Sequence, residues 1–245
     1  MNIFNEDIAA LRAYIQSKQE AGQSVRRLDA QKAEAHILTQ FHTDRSPVVF
    51  KEDTWLELGH PEAFSTAPVL VTRSLDLVND GHITLIGPDM KEISGSRSFG
   101  QILLIASEYL ADEDYRKLNT HQYELELKGY MIKAMPSSLA LWSRVSRKTV
   151  DDGFSFGVLG NAMMASYRRD SPIQAMEVVF ITSSKSDVES LKGLHEKAAR
   201  IIAAMNKMIE EMSFDCSSCE YLDVCGDVRQ LGALREKLMR QRERA

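Results

Sequence analysis

The 245-residue chain is long enough for one large domain or two small ones, at about 150 residues per domain. Its hydrophobic fraction of 44% and charged fraction of 27% exclude collagen-like and disordered proteins, and its apolar runs fall far short of the ~20 residues that cross a bilayer. A net charge of −5 argues against a nucleic-acid-binding protein. We therefore expect no membrane and no nucleic acid among its partners. The first residues lack the basic and apolar regions of a secretory signal, which predicts a cytoplasmic protein.

Residues 1–46 are predicted to form an N-terminal helical segment. Asn5 is a suitable cap for a first helix, because acidic residues follow in the first turn and apolar residues recur at helical spacing. A polar break at 22–24 separates this helix from a second one, in which Phe41 belongs to an apolar stripe.

Residues 47–185 contain short β-rich runs, separated first by turns and then by two helical stretches at about 112–131 and 156–169. The turn at 79–81 favours a hairpin between its two flanking strands. This order predicts an α/β (α+β) fold with a mixed β-sheet flanked by helices. The strands are predicted at Val69–Thr72, His82–Ile86, Gln101–Ala106, Leu139–Ser146 and Met176–Thr182.

Residues 186–245 are predicted to be mainly helical. Apolar residues between Leu191 and Met212 recur at three- and four-residue steps, which indicates a long amphipathic helix. A cysteine-containing segment follows, and then a charged helix that begins at about Asp227.

The cysteine segment holds all three cysteines of the chain, Cys216, Cys219 and Cys225, in a C-x2-C-x5-C pattern. An odd number of cysteines in a chain without an export signal argues against a disulfide framework. The C-x2-C spacing lets two thiolates bind one metal ion or cluster, and the third can complete a shared site. Three interpretations remain open: a [4Fe–4S] cluster, zinc, or reduced structural thiols. We favour the iron–sulfur cluster, with its fourth ligand from a histidine, an aspartate, an external molecule or a second copy of the chain.

A tryptophan and three arginines form a second candidate site. Alternation along the predicted strand 139–146 places Trp142 and Arg144 on one face, with Arg147 just beyond its end. An indole can stack on a planar base while guanidinium groups bind phosphates. Arg168, at the end of the next predicted helix, could converge on the same region. The alternative interpretation is a half-buried tryptophan beside solvated charges.

Several short motifs, in the same order and register, resemble the middle domain of the acetyl-CoA synthase subunit of the carbon monoxide dehydrogenase/acetyl-CoA synthase complex. The similarity extends over residues 48–182. The motifs that carry it are DTWLELGHP at 53–61, DGHITLIGPD at 80–89, SFGQIL at 98–103, WSRVSR at 142–147 and GF at 153–154.

The resemblance implies that residues 47–185 form a middle-domain-like core that binds coenzyme A or an acyl-CoA. In that family the subunit joins a methyl group, carbon monoxide and coenzyme A at a nickel–iron–sulfur cluster, and the tryptophan matched by Trp142 is implicated in coenzyme A binding. The resemblance therefore implies a coenzyme A site formed by Trp142, Arg144 and Arg147, to which we add Arg168 from its position at the end of the next predicted helix. The family's four cluster cysteines and its separate Cys-Gly-Cys motif are not matched, so nickel is not part of this expectation.

Two functions follow from the sequence. The first is an acetyl-CoA synthase-like iron–sulfur protein that supports acyl or one-carbon transfer in an anaerobic cytoplasm, with catalytic residues that the sequence does not identify. The second is a non-catalytic, zinc-binding assembly protein whose sheet domain contacts a partner subunit or a second copy of the chain.

Overall fold

A computed structural model describes residues 3–29, 39–45, 47–107, 112–135, 140–170, 173–210 and 224. Within these residues, no helix is long and apolar enough to span a membrane. The strands form two mixed sheets with helices packed against them. The predicted α/β class is confirmed.

The central sheet has the strand order β1-β5-β10-β7. On the outer edge of β7, β3 pairs with the first part of the strand and β4 pairs with the second part. A smaller sheet has the order β6-β2-β9-β8. The strands of both sheets are β1 (Val25–Asp29), β2 (Thr54–Leu58), β3 (Ser65–Thr66), β4 (Val69–Thr72), β5 (His82–Ile86), β6 (Gly95–Arg97), β7 (Phe99–Ala106), β8 (Tyr130–Met135), β9 (Ala140–Ser146) and β10 (Ala175–Ile181).

Helices pack against the central sheet and follow the strands of the small one. Two short 3₁₀ turns, Leu75–Leu77 and Met90–Glu92, flank β5. The α-helices are α1 (Asn5–Glu20), α2 (Asp112–His121), α3 (Arg147–Asp151), α4 (Phe156–Asp170), α5 (Lys185–Glu189) and α6 (Lys192–Glu210).

The core lies on the central sheet, because every residue of β7 and β10 is buried. Such continuous apolar runs are typical of strands that are covered on both faces. The small sheet joins this core where β6 leads directly into β7, and where the Arg97 Nε donates a hydrogen bond of 3.0 Å to the Thr182 carbonyl. It is buried on one face only, which leaves its outer face available for function.

The five predicted strands are confirmed, with β4 and β5 at their predicted bounds. The predicted hairpin is wrong: β4 pairs in parallel with β7, whereas β5 pairs with β1 and β10. β10 lies between β5 and β7, and the Asp80 side chain in the turn accepts a hydrogen bond from the Met176 amide at the start of β10.

The N-terminal segment is not helical throughout, because β1 adds to the central sheet. Asn5 is the first residue of α1 and not its cap; its side-chain oxygen accepts a hydrogen bond of 2.7 Å from the Thr72 hydroxyl. The helix predicted over 112–131 ends at His121, and the chain then forms β8.

Candidate functional site

The outer face of the small sheet carries two of the residues predicted to bind a cofactor. Burial alternates strictly along β9: Leu141, Ser143 and Val145 point into the core, whereas Trp142 and Arg144 lie on the partly exposed side. This is the period-two pattern of a strand with one buried face. The sequence prediction that these two residues share a face is confirmed.

Trp142 is surrounded by cations and by one imidazole. The Lys133 Nζ lies 4.4 Å from the centroid of the Trp142 ring, within the range of a cation–π contact, and the Arg144 Cζ lies 5.7 Å from it. The His60 ring meets the indole edge-on at 5.0 Å and 81°. The indole Nε1 is buried and has no hydrogen-bond acceptor among the described residues. The ring is thus held in place by these neighbours.

Arg144 is paired with a carboxylate on the neighbouring strand. Glu57 of β2 lies directly opposite Arg144 in the sheet, and its carboxylate accepts a hydrogen bond from the Arg144 Nε. Both side chains are mostly buried, at 16% and 15% exposure. The second carboxylate oxygen of Glu57 lies 3.9 Å from the His60 Nε2. Much of the Arg144 charge is therefore compensated within the sheet.

Arg147 begins α3 at the end of β9 and lies over a second tryptophan. Its Cζ is 5.0 Å from the centroid of the Trp55 ring, and its backbone amide donates to the Asp53 carbonyl at 2.8 Å. The Trp55 Nε1 donates to the Met90 carbonyl at 3.0 Å, which orients the indole. We call the surface formed by Lys133, Trp142, Arg144, Trp55 and Arg147 the aromatic–cationic face.

Arg168 does not lie on this face. It forms an ion pair with Asp80, and both side chains are about half exposed. Asp80 contacts the start of β10 through Met176, whereas the small sheet meets the other end of β10 at Thr182. Six residues of strand separate these two points, which corresponds to ~20 Å. The structure therefore places three of the four predicted residues on β9 or directly after it, and Arg168 at the opposite end of the central sheet.

A cleft of about 730 Å³ opens beside the aromatic–cationic face. Ala140, two residues before Trp142 on the same side of β9, forms part of its wall. Gly59 is required here because its φ is +66° and a Cβ would lie 2.1 Å from the Leu141 carbonyl oxygen. The lining residues are Gly59, Pro61, Phe64, Ser65, Ala140, Lys192, His195, Glu196, Ala199 and Arg200.

The phenol of Tyr130 lies behind the face, on the buried side of the small sheet. Burial raises the pKa of Tyr130 to about 12. This group therefore stays protonated at neutral pH and cannot act there as a base.

The predicted metal ligands Cys216, Cys219 and Cys225 lie outside the described residues, and their shared site stays a prediction. In the part of the chain that the structure describes, no group of three or more His, Cys, Asp or Glu side chains could hold a metal ion.

Sequence reasoning missed two side chains that shape the face. Lys133 lies two residues beyond a stretch that was predicted as helix, and only its position opposite Trp142 in the β8–β9 pairing places it on the face. Glu57 lies within one of the motifs quoted above, but the signal that identifies it as the partner of Arg144 is the register of β2 against β9.

The fold and this face together define a two-sheet α/β protein with a surface suited to a ligand that is both planar and anionic. The chain belongs to the CO dehydrogenase/acetyl-CoA synthase complex beta subunit family, whose model matches residues 39–187. The match includes both sheets except β1, and it excludes α1 and α6. The resemblance seen in the sequence motifs is thereby confirmed.

The chain is similar to several subunits of acetyl-CoA decarbonylase/synthase complexes. It is 27% identical to subunit beta of Archaeoglobus fulgidus over 74% of this chain and 37% of the relative. It is 26% identical to subunit beta 1 of Methanosarcina mazei, over 75% and 41% of the two chains. It is also 25% identical to subunit beta of Methanothermobacter thermautotrophicus, over 68% and 37%. The matched region spans about two fifths of the length of these relatives.

Proposed function

We propose that this protein binds coenzyme A or an acyl-CoA on the aromatic–cationic face and acts in acetyl-CoA synthase-like acyl or one-carbon transfer. Its family is named for a subunit of a complex, which supports a role beside protein partners. The observation that carries the proposal is the position of Trp142 between Lys133 and Arg144 on a partly exposed sheet face.

Each part of the ligand has a matching group on this face. An adenine can stack against Trp142 when the Lys133 ammonium turns from the ring toward a phosphate, since stacking of a base on an aromatic side chain contributes ~1–3 kcal/mol. The phosphates are assigned to Lys133 and Arg147, neither of which forms an ion pair with a carboxylate of the described residues. Arg144 is paired with Glu57, so it positions the indole and attracts a phosphate less strongly than Lys133 or Arg147 does. The apolar part of the neighbouring cleft, at Pro61, Phe64 and Ala199, suits the pantetheine arm or an acyl chain.

Isothermal titration calorimetry with coenzyme A tests the proposed site. We expect Trp142→Leu to weaken binding about tenfold or more through lost stacking. Lys133→Met and Arg147→Met should each weaken it by about tenfold, as expected for loss of a hydrogen bond to a charged group worth ~1.5 kcal/mol. Binding should also weaken as salt is raised, because the charges are near the surface.

Two further variants complete the design. Lys117→Met removes an exposed lysine from α2, distant in sequence from the face, and should leave the affinity unchanged. Arg168→Met examines the fourth predicted residue, and we expect no loss because its partner Asp80 lies at the far end of the central sheet. Unchanged affinity in the Trp142, Lys133 and Arg147 variants would contradict the proposal.

We propose in addition that Cys216, Cys219 and Cys225 hold a [4Fe–4S] cluster. Their C-x2-C-x5-C spacing supports this. When bound, such a cluster would supply an iron site not ligated by a protein thiolate. Anaerobic reconstitution with iron and sulfide should give broad visible absorbance that each Cys→Ser variant reduces, whereas Ser218→Ala in the same segment should not. Stoichiometric zinc in anaerobically purified protein, without iron or sulfide, would favour the zinc-binding assembly protein instead.

A further inference from the structure

A second group of chemically reactive side chains lies between the end of α2 and the middle of α4. The His121 Nε2 is 2.9 Å from the Ser166 Oγ, and the His121 Nδ1 is 3.2 Å from the Glu124 Oε2. A hydroxyl, an imidazole and a carboxylate are therefore connected in series, with a separate partner on each ring nitrogen. This is the connectivity of a serine nucleophile, its general base and the group that orients the base.

The imidazole is held by packing as well as by hydrogen bonds. Its ring meets the buried Tyr167 ring edge-on at 4.7 Å and 90°, and the Tyr167 hydroxyl donates to the Leu118 carbonyl at 2.7 Å. The side chain of His121 is 17% exposed, whereas that of Glu124 is 67% exposed. The proton-transfer contact to Ser166 is thus sheltered, and the carboxylate at the other end of the series lies in solvent.

Ser166 lines a cavity of about 290 Å³, which is large enough for a small molecule. Ala162 and Ala165 on the same helix leave room beside it, and Leu127 contributes an apolar wall. Arg169 also lines the cavity and lies three residues after Ser166, on the same side of α4. Its guanidinium is the group in this cavity best suited to stabilise a developing oxyanion.

The charges around the cavity restrict the substrate. Asp44, Glu124 and Glu126 line it together with Arg169 and His42. With three carboxylates present, an anionic ligand such as coenzyme A is disfavoured, and a neutral or cationic one is accepted. This cavity is therefore separate in its chemistry from the aromatic–cationic face, and the inference does not depend on the function proposed above.

We propose that Ser166 is a nucleophile toward small neutral or cationic carboxylic esters, with His121 as general base and Glu124 as a positioning residue. The Ser166 Oγ attacks the ester carbonyl carbon while its proton passes to the His121 Nε2. The acyl–oxygen bond breaks, and the imidazolium returns the proton to the departing alkoxide. Water then attacks the acyl-serine through the same base, so that one ester and one water give one acid and one alcohol.

Covalent labelling with an alkyl fluorophosphonate tests the nucleophile directly on the full-length protein. In this reaction the Oγ–P bond forms, the P–F bond breaks, and fluoride leaves while His121 takes the proton. We expect one adduct per chain, located at Ser166 by peptide mass spectrometry. Ser166→Ala should remove it, and His121→Gln should slow labelling about 100-fold or more, the usual contribution of a general base. Ser186, an exposed hydroxyl on α5, serves as an internal control and should remain unlabelled.

The role of Glu124 is tested by the rate of labelling and its rescue. Glu124→Gln removes the carboxylate that contacts the His121 Nδ1 at 3.2 Å, so labelling should slow several-fold, and Glu124→Asp should restore the rate partly. A residue that does not position the imidazole would leave the labelling rate unchanged in Glu124→Gln. Because Glu124 is exposed, these variants are expected to fold, and circular dichroism checks this for all variants.

Three results would overturn the proposal. The first is the absence of a Ser166 adduct while an added serine hydrolase is fully modified in the same tube. The second is an unchanged labelling rate in a folded His121→Gln protein. The third concerns the substrate class: p-nitrophenyl acetate should be cleaved faster than an anionic monoester of succinate, and the reverse order would contradict the assignment of neutral or cationic esters.

Discussion

Arg12 attaches α1 to the central sheet through a buried carboxylate, and its removal should lower stability measurably. The Arg12 Nη1 and Nη2 lie 2.6 Å and 2.5 Å from the two carboxylate oxygens of Glu177 on β10. The Glu177 side chain is 1% exposed and that of Arg12 is 31% exposed. Apart from Arg12, the carboxylate accepts a hydrogen bond of 3.0 Å from the Asn79 backbone amide. Arg12→Met would therefore leave the Glu177 charge buried in the sheet. Of these donors, only the Asn79 amide would remain.

Breaking a buried ion pair in this way typically costs ~3–5 kcal/mol. Because Arg12 is about one third exposed and water can reach that side of the pair, we expect about 2–3 kcal/mol here. Arg12→Met/Glu177→Met should cost less than Arg12→Met alone, since no charge is then left unpaired. Urea unfolding at pH 7 measures these differences, with Gln19→Met on the exposed side of α1 as control.

A loss below about 0.5 kcal/mol in Arg12→Met would refute this reasoning, since even exposed ion pairs contribute up to ~1 kcal/mol. So would a double variant whose loss equals the sum of the single losses. The experiment also bears on the domain boundary predicted at residue 46. If α1 is energetically coupled to β10, residues 3–29 unfold together with the core and not as a separate segment.

Two further predictions concern the attachment of α5 and the cleft. Burial alone would raise the pKa of Asp187, but hydrogen bonds from Lys18 and two serines outweigh it, and the pKa is lowered overall. Asp187→Asn should therefore reduce the free energy of unfolding most above about pH 4. The difference from wild type should disappear as pH falls through the lowered pKa. Urea titrations between pH 7 and pH 3 measure this difference. Gly59→Ala should lower the free energy of unfolding by about 2–4 kcal/mol, as thermal unfolding can measure. The added Cβ would overlap the Leu141 carbonyl oxygen, and alanine would have to adopt the positive φ of this position. Gly22→Ala shares the positive φ without the overlap and should cost only ~1–2 kcal/mol, so equal losses in the two variants would contradict the steric argument.

The buried strands could be predicted from local patterns, but their pairing could not. β4 and β5 are short apolar runs bounded by turn residues, and such runs are visible in any sequence window. The turn between them looks like a hairpin because its residues favour a reversal. The chain instead brings β10, some 90 residues later, next to β5. Strand order depends on which distant apolar surfaces cover each other, and a local turn motif does not contain that information.

The candidate site was predictable to the extent that it depends on alternation within one strand. Trp142 and Arg144 are two residues apart on β9, so the period of the strand places them on one face. Arg168 belongs to α4, and the end of a helix can face in many directions relative to a strand. Its ion pair with Asp80 follows from the packing of α4 against the central sheet, which the sequence did not specify.

The partners of Trp142 and Arg144 come from the two strands on either side of β9, and they decide how the face can work. Glu57 on β2 neutralises much of the charge that made Arg144 attractive as a phosphate ligand. Lys133 on β8 brings a cation to the same indole from the other side of the strand, and no carboxylate of the described residues forms an ion pair with it. Cross-strand neighbours therefore transfer the expected phosphate-binding role from the arginine that the sequence singled out to a lysine that it did not. If coenzyme A binds here, Lys133→Met should accordingly weaken its binding more than Arg144→Met does at equal loss of stability.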